Sequence, residues 1–376
     1  MNANARVIGF IRLVLGLAVL FEAATVLPRL WTLTEPGMLR APYIGSTEPI
    51  SAPVAAVITV AWLIGSAGLA LGVATLGAAL LTAAAMASVL ALDAQLYSNH
   101  AYLMATLCVL VGVGGGGRSL SLDSLRTSEA ETTPRWALAA IRIQISIVYV
   151  FAALSKLNPE FLSGTVLTHF LRPDGPLALP VEWRTFELMA VVSITAVLIE
   201  LLIGVGLWMR RWRRMAISAG LLLHLGMVLW GSQPYQLAIF AMVMFAGYLA
   251  FVAPARQSVT VVWDDSCGFC EGWVRWFRRL DWLDAVRLVP LSSLPVAGLM
   301  VDPIAAAHAM HAVANGSTSA GFRAVIRVVS VLPATFLAAG LLGLPFIRTV
   351  GDRTYEAVAR RRTCSLPPPE TRGAVP

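Results

Sequence analysis

The segment Ala137–Lys156 reads ALAAIRIQISIVYVFAALSK, and two periods compete inside it. From Ile141 to Ile147 apolar and polar residues alternate, as along a half-buried strand. The apolar character continues on both sides, however, far enough to cross a hydrocarbon core at about 1.5 Å per residue. A lone strand cannot satisfy its backbone in lipid, so the segment must be helical. Wound as a helix, it carries Arg142, Ser146, Tyr149, Ala153 and Lys156 at i, i+4, i+7, i+11 and i+14, one polar stripe down one face. Asn158-Pro159 ends the helix and leaves Lys156 at its mouth.

Seven more apolar stretches run over 7–27, 53–73, 74–92, 100–117, 187–209, 215–231 and 236–253, making about eight spans. The 376 residues are 57% hydrophobic and only 13% charged, with mean hydropathy +0.74. That composition excludes an ordinary soluble enzyme, a disordered chain and a disulfide-rich secreted scaffold. The net charge of +7 is not a nucleic-acid signal, because the basic residues sit at the ends of apolar runs. Arg118, Arg126 and Arg135 between spans four and five, and Arg210, Arg211, Arg213 and Arg214 between six and seven, place those loops and the N-terminus in the cytoplasm. An even span count then leaves the residues after about 256 in the cytoplasm as well. The expected setting is a bacterial-type inner (plasma) membrane. The first span, with Glu22 inside it and Pro28-Arg29 at its end, does not read as a cleaved signal peptide.

Ionisable residues within apolar spans are functional candidates. Here they are Arg12, Glu22, Arg142, Lys156, Glu200 and His224, with His100 at a span's mouth. Of 28 basic residues only Lys156 is a lysine. An amine can lose its proton where a guanidinium cannot, so the single lysine stands out. One reading is a desolvated pocket where Lys156, flanked by Arg142, acts as a base. The other is a snorkelling lysine, with Glu200 paired to an arginine for packing.

At Pro254 the composition changes. Val259–Trp263 reads as a short buried strand, followed by Cys267-Gly-Phe-Cys270 and an amphipathic helix over 270–280. A strand at Val286–Val289, a helix near 303–309, strands around His311–Ala314 and Thr318–Gly321, and a helix from Phe322 complete a thioredoxin-like order. The expected architecture is a polytopic α-helical membrane domain followed by a small α/β thioredoxin-like domain. Its boundaries are 1–256, 257–364 and a tail 365–376. The loop 118–136 reads as polar, and the apolar run 328–347, interrupted by Pro333 and Pro345, as a packed or interfacial helix pair instead of a ninth span. A CxxC between strand and helix puts its first sulfur over the helix N-terminus, where amide dipoles stabilise a thiolate. Cys270 is then placed to resolve a mixed disulfide. Asp264 and Asp265 act against thiolate formation. Two alternatives stay open at the motif: a structural pair, or zinc held with His308 and His311.

Two resemblances follow from these residues. Arg142–Asn158 with Phe161-Leu-Ser-Gly164, and Tyr97-Ser-Asn-His100-Ala-Tyr-Leu103, resemble the vitamin K-dependent γ-carboxylase-like membrane family, the HTTM domain. Glu200-Leu-Leu-Ile-Gly204 and His224 fit its later helices, and the resemblance covers about 6–250. In that family's carboxylases a lysine deprotonates a quinol, and oxygen chemistry then opens a glutamate to CO2. The resemblance implies Lys156 as base, with Asn99, His100 and His224 lining a site that Arg142, Tyr149 and Glu200 would share. The lumenal substrate-binding region of the animal enzymes has no counterpart here. Residues 258–362 resemble the DCC-type thiol-disulfide oxidoreductases, through Trp263-Asp264, Cys267-Gly-Phe-Cys270, Ser319-Ala-Gly-Phe322, Leu344-Pro-Phe and Tyr355 to Arg360. Asp265 stands where that family usually has glycine, and Trp263 where it often has tyrosine.

The expected protein is thus a membrane redox enzyme with a menaquinone- or vitamin K-type quinone at Lys156, no metal, and a Cys267–Cys270 dithiol. Its partners would be the lipid bilayer, a quinone and a peptide or thiol protein, not nucleic acid. The alternative is a non-catalytic scaffold or a maturation factor for a secreted peptide, its CxxC structural or zinc-binding.

Overall fold

The computed structural model describes residues 2–174, 177–293, 299 and 301–361. Cys364 and the expected tail 365–376 lie outside them. The chain divides into two compact units, Met1–Ala253 and Pro254–Pro376.

In the first unit each apolar run is a helix: α1 Ala5–Thr32, α2 Ala52–Leu71, α3 Thr75–Leu92 and α4 Asn99–Val113. After a short α5 (Leu122–Thr127) come α6 Arg135–Ser155, the short α7 Pro159–Leu162 and α8 Thr165–Phe170, then α9 Phe186–Gly206, α10 Arg213–Trp230 and α11 Pro234–Val252. Among the described residues six of these are long and apolar enough to cross a membrane: α1, α2, α3, α6, α9 and α11. The other two of the eight expected spans depart for different reasons. Helix α4 has 15 residues, and α10 opens on Arg213 and Arg214, which dilute its apolar character. Helix α1 packs against α2, α4 and α11, while α6 packs against α9 and α11.

The expected polar loop 118–136 is structured. Helix α5 begins with a reciprocal cap between Ser121 and Ser124. The strand Thr132–Pro134 pairs antiparallel with Asn2–Asn4, in the register Ala3↔Thr133. Asp123 closes the turn before α3 by accepting from the Ala74 and Thr75 amides, both at 3.0 Å. Polarity alone marks this segment as a loop; its side chains instead cap neighbouring backbone, which apolar periodicity does not reveal.

Among its described residues the second unit holds four strands, numbered after the Asn2–Asn4 and Thr132–Pro134 pair: β3 Val259–Trp263, β4 Val286–Pro290, β5 His311–Ala314 and β6 Ser317–Ala320. Their spatial order is β4-β3-β5-β6. Strands β3 and β4 are parallel, joined by α12 (Gly268–Leu280), whereas β5 is antiparallel to both β3 and β6. The core combines Val259, Val261, Phe277, Val286, Ala312, Ala324, Val328 and Leu332. Alternation along β3 and the helical spacing of Val274 and Phe277 send these residues inward. The run 328–347 breaks up: a helix ends at Val329, Ala338–Leu342 makes one short helix, and Pro345 opens the helix Pro345–Arg361.

Candidate functional site

The polar stripe of α6 is satisfied by three different helices. Lys156, the residue that caps α6, donates to the Glu200 carboxylate of α9. Its ammonium also lies 5.5 Å from the centre of the Phe161 ring. Glu200 is 5% exposed, and its second oxygen has no hydrogen-bond partner among the described residues. Two turns below Lys156, the Tyr149 hydroxyl meets His224 Nε2 of α10 at 2.9 Å and the Tyr248 hydroxyl of α11. All three of these rings are buried. His224 Nδ1 has no partner among the described residues.

Gly220 makes the phenol pair fit. It lies one turn before His224 on the same face of α10, and a Cβ there would stand 1.9 Å from the Tyr248 hydroxyl. Only a residue without a side chain allows that approach.

A second pair adjoins the first through Phe240. Its ring sits edge-on to His224 at 5.1 Å and tilted to His100 at 6.3 Å. His100 Nε2 is 3.0 Å from Glu22 Oε1 of α1. Glu22 is 1% exposed, and its other oxygen has no partner among the described residues. Buried carboxylates so placed are unfavourable unless a hydrogen-bonding molecule or a proton completes them.

Lys156, Tyr149, Glu200 and His224 thus come together, with His100 one ring away. Arg142 does not flank Lys156. Its Nε donates to the Ala250 carbonyl at 2.7 Å, and 14 residues of helix put it about 21 Å along the axis. Periodicity places both on one face but carries no information about distance along it. Asn99 is exposed at the start of α4. Tyr248, Phe240 and the pairing role of Glu22 escape sequence reasoning. Tyr248 and Phe240 look like ordinary members of an apolar run, and Glu22 is visible only as an unexplained charge.

In the second unit Cys267 occupies the N-cap of α12 and is 2% exposed, as the strand–CxxC–helix spacing requires. It is disulfide-bonded, and Cys270 is not its partner. The expected Cys267–Cys270 pair is therefore not joined to itself. Cys270, one turn along, lies in the wall of a cavity of about 380 Å³ lined by α12, the end of β3 and the helix Pro345–Arg361. The preceding turn is held by its acids. Asp264 accepts from the Ser266 amide and hydroxyl at 3.1 and 2.6 Å. Asp265 accepts from the Ser292 amide and hydroxyl at 3.1 and 2.6 Å. Among the described residues no three His, Cys, Asp or Glu side chains are grouped to hold a metal. His311 Nδ1 is engaged by the Ala309 carbonyl at 2.8 Å.

Partial burial alone would raise the Asp265 carboxyl, but the Ser292 hydrogen bonds and nearby backbone amides outweigh it and hold it below the usual range. A depressed carboxyl stabilises the fold fully above the unfolded value of about 3.9, and loses that contribution as pH falls through its lower folded value. Asp265→Asn should therefore flatten the acid limb of the stability curve below about pH 4, as followed by chemical unfolding of the full chain. An unchanged acid limb would show that the Ser292 contact contributes nothing.

A bundle of apolar helices that encloses ionisable pairs, followed by an α/β unit with cysteines at a helix N-terminus, defines a multi-pass membrane protein with a fused thiol domain. Residues 2–255 match the HTTM domain model, and residues 261–365 match the DCC1-like thiol-disulfide oxidoreductase model. The first match spans more than half the chain, which belongs to the HTTM-domain family. The sporulation-delaying protein SdpB of Bacillus subtilis (strain 168) is 24% identical over 136 residues, covering 34% of this chain and 41% of that protein. The chain thus spans about two fifths of that relative's length. No solved structure matches the chain.

Proposed function

We propose that this protein is a plasma-membrane redox enzyme of about eight spans, with a quinol site at Lys156 and a thiol-exchange domain at Cys267 and Cys270. One observation carries the reading: the chain's sole lysine is paired with a buried glutamate and adjoins a buried imidazole–phenol–phenol network. Glu200 Oε2 and His224 Nδ1, without hydrogen-bond partners among the described residues, support a ring compound bearing hydroxyl groups, such as a menaquinol. When bound, a quinol supplies the electrons for reaction with oxygen.

The protein's own part is proton handling. Transfer of the ammonium proton from Lys156 to Glu200 leaves a free amine able to take a hydroxyl proton. Tyr149, held between His224 and Tyr248, orients the ring from below, and the apolar helices exclude water. His100 with Glu22 offers a second place to hold a proton. In the thiol domain, a dithiol reductant first opens the Cys267 disulfide, itself becoming a disulfide, and the Cys267 and Cys270 thiols then pass two electrons to a substrate disulfide. Cys267 and Cys270 become a disulfide while the substrate gains two thiols and their two protons. The arginine-rich loops support a cytoplasmic N-terminus and thiol domain, with Lys156 toward the opposite side.

Oxygen uptake by the purified protein supplied with reduced menaquinone tests the membrane site, and a wild-type protein that consumes none overturns it.

A second reading, a membrane scaffold or a maturation factor for a secreted peptide, is favoured by the burial of Cys267 in a disulfide that does not include Cys270. The double variant Cys267→Ser with Cys270→Ser separates the two. As an oxidoreductase, the protein should lose reduction of a model protein disulfide down to background. Wild-type rates in the double variant would leave the cysteines structural.

A further inference from the structure

Helix α12 buries one face, through Val274 and Phe277, and leaves a second apolar face outside. Phe269, Trp273 and Trp276 recur at i, i+4 and i+7 as an aromatic stripe, 49%, 44% and 38% exposed. Trp273 and Trp276 meet edge-on at 5.8 Å. Arg275 and Arg279, both exposed, follow the flank of the stripe that faces away from the core. The one acid of the helix, Glu271, lies on the side opposite the stripe, 3.1 Å from Arg275.

Two observations identify what covers this face. Exposed tryptophan beside arginine recurs in this chain where a spanning helix leaves the membrane: Trp136 after Arg135 at the start of α6, and Trp208 and Trp212 around Arg210 and Arg211 after α9. Only residues 253–258 separate α11 from β3, and six residues reach at most about 21 Å. The bilayer that holds α11 is therefore within reach of the second unit.

We propose that the aromatic stripe of α12 docks on the headgroup layer of the bilayer that carries the chain, with Arg275 and Arg279 meeting anionic lipid phosphates. An indole suits that depth, because its ring is apolar and its N–H can donate to a headgroup. A helix with an aromatic face and a basic flank lies in the interface plane for the same reason. Phe269 and Trp273 also line the cavity that holds Cys270, so docking sets that cysteine at the membrane surface. Docking needs no thiol exchange, and its failure leaves the oxidoreductase reading standing.

Site-specific photocrosslinking of the full-length protein tests the proposal. Benzoylphenylalanine replaces Trp276 in one protein and Phe269 in another, each reconstituted in vesicles of phosphatidylcholine with phosphatidylglycerol. Irradiation should add the mass of one phospholipid to the peptide bearing the probe at both positions, and a probe at Glu271 should give no lipid adduct. Arg275→Gln with Arg279→Gln should cut the adduct yield at least about fivefold, since one basic residue near an anionic surface changes binding by about that factor. Absence of lipid adducts at both stripe positions, an equal yield at Glu271, or adducts to protein instead of lipid overturns the proposal. An unchanged yield in the double arginine variant overturns it as well. Oxygen uptake with reduced menaquinone should be unchanged in that variant, which keeps this result independent of the Lys156 site.

Discussion

Lys156→Arg should take up oxygen from reduced menaquinone at least about a hundredfold more slowly than the wild type, the scale of a lost general base. Arginine preserves the positive charge facing Glu200, and with it the attraction that holds α6 to α9. What it removes is a titratable amine, because a guanidinium stays protonated in a protein. The variant therefore separates charge from proton transfer, which a change to alanine or methionine would confound. Removing one partner of a buried pair leaves the other carboxylate uncompensated and destabilises the fold. The measurement is initial oxygen uptake beside a thermal unfolding curve for each protein. A folded Lys156→Arg protein with wild-type uptake would eliminate the lysine as the base.

Arg12→Leu should destabilise the membrane unit by about 3 kcal/mol or more, since buried carbonyls that lose a charged donor cost about 1–3 kcal/mol each. Arg12 is completely buried in α1, and its guanidinium donates to four backbone carbonyls: Leu69, Ala70, Gly116 and Leu120. Those oxygens belong to the end of α2 and to the turn after α4, where helix ends leave carbonyls without intrahelical donors. One side chain thus closes two helix termini onto a third helix. Gly72, in the left-handed region at φ 70°, lets the turn pass over the guanidinium, and a Cβ there would lie 2.8 Å from Arg12 Nη1. Leucine matches the bulk but leaves the Ala70, Gly116 and Leu120 oxygens unmet in a place water does not reach, while Leu69 keeps the Gly72 amide at 3.2 Å. Arg12→Lys, with one compact charge and no planar fork, should recover only part of the loss. Reversible unfolding of the protein in mixed micelles gives the comparison. An Arg12→Leu protein as stable as the wild type would mean that the carbonyls find other donors.

The two predictions draw on residues that the sequence exposes to different degrees. Lys156 stands out in the sequence alone, as the only lysine and at the end of a polar stripe. Arg12 is visible there as a charge in an apolar run, without a sign of what it holds. Cys267 and Cys270 are legible from their place between a strand and a helix. Their redox partnership is not, since pairing a sulfur depends on which chain segment reaches it.

The long apolar helices and the β–CxxC–α order are legible in consecutive residues, whereas α5 and the pairing of Thr132–Pro134 with Asn2–Asn4 are not. What is legible follows from hydrophobic period, run length, glycine and proline, all local properties of consecutive residues. Lys156 with Glu200, Tyr149 with Tyr248 and Glu22 with His100 are separated by 44, 99 and 78 residues. Which face of one helix meets which face of another is settled by packing among several helices at once, and only the tertiary structure decided those meetings. The same holds for Arg142, which shares a stripe with Lys156 but is engaged by the Ala250 carbonyl instead of entering the site. A helical period repeats along the axis, whereas a binding site occupies one depth of it.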